Sequence, residues 1–210
     1  MPDEHTRALY RLQSEQPAGS CVIGIDEVGR GAVAGPLTVA AIALPLAPMV
    51  EGLDDSKKLS PRRRDELAVC IKDAAIAWGV AHVAPARIDR MGMARALRLA
   101  MLEALEATDC APDLLLIDGN PVHIHPQEHC VVKGDATVAC IAAASIIAKV
   151  TRDAIMVKLD AHYPEYGFVR NKGYATAEHQ DAIRSYGLTK LHRKSFCTGI
   201  LQERLFDVVS

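Results

Sequence analysis

Three short apolar runs in this chain are each followed within three residues by carboxylates, and that recurrence restricts the folds open to it. The first, Cys21 to Ile25, is rich in β-branched residues, the composition of a strand buried on both faces, and it stops at Asp26 and Glu27. Burying an unpaired carboxylate costs several kcal/mol, so this pair has to stand at the strand's end, facing water or a cation. Leu114 to Ile117 stops in the same way at Asp118, and Cys130 to Val132 leads into Lys133-Gly134-Asp135. A single acid at a strand end is an ordinary turn or cap residue. Several converging on one sheet edge would make a site.

The remaining elements fit around these strands. After Gly29-Arg30-Gly31 a second strand, Leu37 to Leu44, is closed by Pro45 and Pro48; so short a connection predicts an antiparallel neighbour. Ser60-Pro61 offers an N-cap and a first-turn proline for a helix to Ala74, and Ile76 to Ala84 reads as a third strand. Met93, Leu97, Ala100, Met101, Ala104 and Leu105 keep helical spacing, predicting one amphipathic helix over Arg90 to Ala107. Thr137 to Leu159 is a helix whose small residues at 142–145 permit close packing on a sheet. Thr176 caps another helix through Ser185, and the tail from His192 returns to the body through Phe196 and Leu201. Residues 1–20 form a polar leader with a short helix through Arg7 to Leu12. The alternation describes an α/β chain, a mixed sheet with helices on both faces.

Composition excludes some functions. With a net charge of -2 and a pI near 6.4, any nucleic-acid surface must be a local patch. The candidates in sequence are Lys57-Lys58, Arg62-Arg63-Arg64, Arg170-Asn171-Lys172, and Lys190 to Lys194. Six cysteines without a C-x-x-C pair, two of them (Cys21 and Cys140) in apolar runs, suit small buried side chains of a reduced, cytoplasmic protein better than a disulfide framework or a zinc site. Asp3 and Glu4, with no apolar stretch behind them, argue against a signal peptide. Gly35, Pro36, Pro45 and Pro48 argue against a membrane helix over 32–50. His123 and His125 alternate with apolar residues as along a short extended segment and read as surface residues.

Asp26, Glu27, Asp118 and Asp135 are the candidate catalytic and metal-holding residues. The carboxyl ends of parallel strands come together, which lets Asp26 and Asp118 converge. Oxygen-only ligands favour Mg²⁺ or Mn²⁺ over zinc. Adjacent residues on a strand point to opposite faces, so either the chain bends before Gly29 or an ion takes the carbonyl of Glu27. Such a set suits phosphodiester hydrolysis by two ions. Gly29-Arg30-Gly31 can bring backbone polar groups close to a ribose 2′-hydroxyl, where a Cβ would hold the sugar away. Lys57, Lys149 and Arg152 are candidate phosphate contacts; Ser145, Lys149 and Arg152 share one helix face at spacings of four and three. A dinucleotide-binding loop at Gly29-x-Gly31-x-x-x-Gly35 would have to open a helix, whereas Pro36 and the β-branched residues after it open a strand.

The run Ile25-Asp26-Glu27-Val28-Gly29-Arg30-Gly31 with Gly35-Pro36 resembles the type 2 ribonucleases H, most closely the bacterial ribonuclease HII family. Matching blocks follow in the family's order: Asp55 to Leu59, Leu116 to Gly119, Lys133 to Asp135, Ala143 to Asp153, Gly173 to Thr176, and His192 to Phe196. The resemblance implies the ribonuclease H-like fold, a five-stranded mixed sheet with an antiparallel second strand and a small helical C-terminal part. It divides the chain into the leader (1–20), a catalytic domain (21–165) and a C-terminal segment (166–210) completing the substrate groove. It further implies an endonuclease acting on RNA-DNA hybrids and on single ribonucleotides in duplex DNA, cutting 5′ of the ribonucleotide to leave 3′-hydroxyl and 5′-phosphate ends; the chain itself is expected to act as a monomer. Tyr174 resembles the family tyrosine that stacks on the following sugar, although Ala175 stands where proline or glycine is usual. Another metal-dependent nuclease of the same fold, or a non-catalytic nucleic-acid-binding relative, is the alternative; no acid is missing. No clamp-docking peptide is evident around Phe206.

Overall fold

The computed structural model describes residues 2–201. Strands β1 (Val22–Val28), β2 (Leu37–Ala43), β3 (Ala77–Val83), β4 (Leu114–Asp118) and β5 (Glu128–Val131) form one five-stranded sheet in the order β3-β2-β1-β4-β5. β2 runs antiparallel to β1 and β3, while β4 is parallel to β1 and β5, the mixed sheet expected from the sequence. In chain order the helices are α1 (Glu4–Ser14), α2 (Pro61–Ala74), α3 (Pro85–Met91), α4 (Met93–Glu106), α5 (Gly134–Thr137), α6 (Ala139–Asp160), α7 (Phe168–Asn171) and α8 (Ala177–Tyr186).

Every residue of β2 is buried because the sheet is covered on both faces. On one, Ala40 and Ile42 meet α6, with Leu67 and Ile71 of α2 and Leu9 and Tyr10 of α1 completing the layer. On the other, Ile23, Ile25, Val39 and Ile117 pack on Leu97, Ala100, Met101 and Ala104 of α4. A third cluster joins Val33 and Ala34 of the β1–β2 connection to Met156, Tyr166, Phe168 and Ile183, so the C-terminal helices hold that connection from outside.

The approach of α6 to the sheet is set by a glycine. A Cβ on Gly24 would lie 2.4 Å from the Cys140 carbonyl carbon and 2.5 Å from the Ile141 nitrogen, both backbone atoms that cannot turn aside. Gly24→Ala is therefore expected to lower stability by about 3 kcal/mol, the cost of overpacking a core whose neighbours are main chain. The midpoint of urea unfolding checks this.

Ser60 caps α2 by accepting from the Arg63 N–H at 3.2 Å, and Thr176 caps α8 from His179 at 3.3 Å, as their positions predict. Other expectations need correction. The single helix over Arg90 to Ala107 is two, because Gly92 adopts φ +79° between α3 and α4; helical apolar spacing does not register such a break. The Pro121 to Pro126 segment is not extended. His123 is left-handed at φ 58°, and the Glu128 carboxylate gathers the N–H groups of Val122, His123 and Ile124 at 2.7–3.0 Å. Cys21 precedes β1 and is half-buried, its sulfur 3.1 Å from Cys110; all six cysteines are free thiols. In the leader, the helix reaches from Glu4 to Ser14, and the Tyr10 hydroxyl accepts the Val50 N–H at 3.0 Å. Phe206 lies outside the described residues. Among them no helix is long and apolar enough to cross a membrane.

Candidate active site

Asp26 and Asp118 come together because β1 and β4 are parallel neighbours in register: Ile25 pairs with Ile117, so the residue after each stands at the same sheet edge. Asp135 arrives from another direction. Lys133, left-handed at φ 58°, turns the chain after β5 into α5, and the Gly134 N–H donates to the Asp118 carboxylate at 2.7 Å. Asp26, Glu27, Asp118 and Asp135 line one cleft of about 470 Å³ with Ser56, Lys57, Ser145, Lys149 and Tyr174.

β1 stays regular through Val28, paired with Thr38, so the bend expected before Gly29 does not occur; the chain turns at Gly29 itself, φ +84°. Glu27 nonetheless avoids the core and faces the cleft, its carboxylate 3.5 Å from Arg30 Nη1. On the far side Lys57 Nζ lies 3.5 Å from Asp135. Among the described residues no three of these acids already close around one point.

Electrostatics explains the two intervening cations. Burial, then the Glu27 charge, push the Asp26 carboxyl up to about 8, against the Ser145 hydroxyl and the Glu27 N–H, which favour its charged form. Burial raises Glu27 and Asp118 too, Glu27 opposed by Arg30 and Asp118 by the Gly134 N–H. Oxygen donors that resist ionising until positive charge arrives fit a hard divalent cation.

The outline of this molecule is that of known nucleases. The model of the family described as ribonuclease HII matches residues 23–199. The chain belongs to the ribonuclease HII family. A ribonuclease HII of Chromobacterium violaceum is 51% identical over 177 residues, 83% of this chain and 89% of that protein. The crystal structure of ribonuclease H2 from Pyrococcus horikoshii superposes with a TM-score of 0.74 at 27% identity, covering 88% of this chain and 98% of that one. Bst ribonuclease HIII, solved in complex with Mn²⁺, shares the fold with a TM-score of 0.74 at 22% identity over 93% of this chain and 72% of its own. Membership makes the protein an enzyme, a ribonuclease H, on a ribonuclease H-like fold.

Within this ribonuclease HII frame the other sequence candidates divide. Ser145 and Lys149 of α6 reach the cleft; Ser145 Oγ is 2.9 Å from Ser56 Oγ, and Lys149 Nζ pairs with Asp153 at 3.0 Å. Arg152, expected as a phosphate contact on the same helix face, is instead fully buried. Its guanidinium donates to the carbonyls of Pro36 at 2.9 Å, Lys172 at 2.8 Å and Ala34 at 3.1 Å, beneath the Tyr174 ring. That position also explains Gly29, where a Cβ would meet Arg152 Nε at 2.2 Å; Gly31 faces open space. Arg193, which the sequence places in a surface patch, is likewise buried, donating to Gly35 and Arg30 carbonyls. Two arginines so placed leave no local sequence signal, since their acceptors in the β1–β2 connection are more than a hundred positions away.

Proposed function

We propose that this ribonuclease H hydrolyses the RNA strand of RNA-DNA hybrids and incises duplex DNA 5′ of single embedded ribonucleotides, leaving 3′-hydroxyl and 5′-phosphate ends. The observation that carries the reading is the shared cleft of Asp26, Glu27, Asp118 and Asp135 beside the Gly29-Arg30-Gly31 turn. Those four residues would hold Mg²⁺ or Mn²⁺, which when bound supplies an activated water and charge neutralisation at the leaving 3′-oxygen. Their oxygen-only donor set supports this, as does the Mn²⁺ in the fold relative ribonuclease HIII. The carbonyl of Glu27 remains available as a further ligand.

Each remaining group has a role its position supports. Lys57 and Lys149 border the acids and hold the phosphates next to the scissile bond. Ser145 sits under Asp26 and favours its ionised form, which keeps that carboxylate ready for a cation. Gly31, with no atom within 4 Å of the position its Cβ would take, leaves room for the sugar, and the Gly29-Arg30-Gly31 backbone reads its 2′-hydroxyl. Tyr174, carried to the cleft by the C-terminal segment, stacks on the next sugar, which is how residues 166–210 complete the groove begun by 21–165.

Incubation with duplex DNA holding one ribonucleotide tests this directly. In Mg²⁺ or Mn²⁺ a single nick 5′ of the ribonucleotide is expected, abolished by EDTA and restored by excess metal. Cutting of all-DNA duplex at a comparable rate would reject the reading.

A further inference from the structure

Much of the positive charge clustered along the sequence is already engaged within the chain. Arg62 and Arg63 pair with Glu66, Arg64 donates to the carbonyls of Ser56 and Leu59, Lys58 pairs with Asp54 and Arg170 with Glu178. One cleft is different. Arg30, Arg95 and Arg98 line a depression of about 320 Å³ with Asn120 on its wall and Leu97 and Val122 among its apolar lining; no carboxylate lines it. Arg98 donates to the His123 carbonyl at 3.2 Å, and neither Arg95 nor Arg98 has an ion-pair partner among the described residues. The three arginines come from elements 65 residues apart in sequence, brought together where the ends of β1 and β4 meet the start of α4.

We infer that this cleft is a second phosphate-binding surface, holding the substrate duplex's backbone away from the scissile bond. The inference rests on the proposed nuclease reading and extends it. Its position supplies the argument: Arg30 links the two clefts, since it pairs with Glu27 on one side and lines the other, and Asn120 follows Asp118 by two residues. A duplex seated over the acids carries about one negative charge per 1.7 Å of its axis and has to meet what lies beside them. Guanidinium forks match phosphate geometry. A chain with a net charge of -2 gains its hold on a polyanion from such a local concentration.

The test compares wild type with R95A/R98A, and with R11A as a distant exposed control, on the ribonucleotide-containing duplex. Alanine suits an exposed helix surface, so folding should persist; R95K/R98K keeps the charge and gives a second variant. For R95A/R98A we expect KM to rise about tenfold with kcat at saturation unchanged. The slope of log Kd against log salt, measured in Ca²⁺, should fall by about 2, one for each phosphate that no longer meets a guanidinium. R95K/R98K should keep the salt slope, and R11A should match wild type throughout. Unchanged KM and salt slope in R95A/R98A, with wild type cutting normally, would overturn the inference alone. A wild type that leaves the ribonucleotide duplex uncut fails the nuclease reading itself, before any variant is compared.

Discussion

Asp26→Asn is expected to remove cleavage, by about 10³-fold or more, and at the same time to raise the melting temperature of the metal-free protein. The two effects have one cause. Asp26 is 7% exposed, and burial together with Glu27 and Asp118 raises its carboxyl from 3.8 to about 8. A group whose folded value is raised contributes stability that is fully present below its unfolded value and is lost as pH climbs through the folded one. Between about pH 4 and pH 8, then, the metal-free enzyme loses stability at this site with each step up in pH. Asparagine keeps an oxygen to accept the Glu27 N–H, which Asp26 now accepts at 2.7 Å, but brings no charge. At pH 8 the gain should be on the order of 5 kcal/mol, or roughly 10–20 °C for a chain of this size. Thermal melts in EDTA at pH 5 and pH 8 check it, with the difference between variant and wild type growing toward pH 8. Added Mg²⁺ should stabilise wild type and leave the variant nearly unmoved, because binding to the folded state alone raises stability. An Asp26→Asn protein that melts lower in EDTA at both pH values, or that still cuts, would contradict this account of the acids.

What could be read from the sequence was whatever a short segment announces by itself. β4 ends on Asp118 because a buried strand does not readily carry a charge inward, and that rule acts within five residues; β1 departs from it, running on to Val28 with Asp26 inside the strand and only 7% exposed. Ser60-Pro61 begins α2 where a cap and a first-turn proline must, and the helix runs to Ala74 as its pattern requires. Signals that depend on partners far along the chain were silent. Nothing near Arg152 or Arg193 tells that the guanidinium will find carbonyls of the β1–β2 connection. Nothing near Arg95 tells that Arg30 will stand beside it. Gly92 misleads in another way: one glycine inside a helical apolar pattern is compatible with a continuous helix, and only its φ of +79° decides. Asp135 lay between these cases, visible as an acid after an apolar run, yet delivered to the cleft by a left-handed Lys133 that the run does not foretell.

Those buried arginines carry the second large expectation. Arg193 and Arg152 are both 0% exposed, and neither has a carboxylate partner among the described residues. Burial, then the neighbouring Arg152 charge, lower the Arg193 guanidinium to about 10, which still leaves it ionised at neutral pH. Its charge is met mainly by main-chain dipoles and a ring, with the Asp89 charge also favouring it: Gly35 carbonyl at 3.2 and 3.0 Å, Arg30 carbonyl at 3.1 Å, and Phe196 at 5.5 Å. With Arg152 on the Pro36 and Ala34 carbonyls, the pair fastens the β1–β2 connection to α6 and the C-terminal segment from both sides. Arg193→Met would keep much of the volume but strand the buried Gly35 carbonyl and free the part-buried Arg30 carbonyl, a loss of about 3 kcal/mol from a molecule whose whole stability is commonly about 5–15 kcal/mol. Arg193→Lys restores charge but has one nitrogen, which cannot serve Gly35 and Arg30 together, so an intermediate loss is expected. Because the freed carbonyl belongs to Arg30, the damage should reach function through the Gly29-Arg30-Gly31 turn. In the lysine variant, at a temperature where it stays folded, the ratio of kcat/KM for ribonucleotide-containing over all-DNA duplex should fall, while metal-induced stabilisation persists because the four acids are untouched. A methionine variant as stable as wild type, or a lysine variant with wild-type discrimination, would mean that the turn is held by something other than these carbonyl contacts.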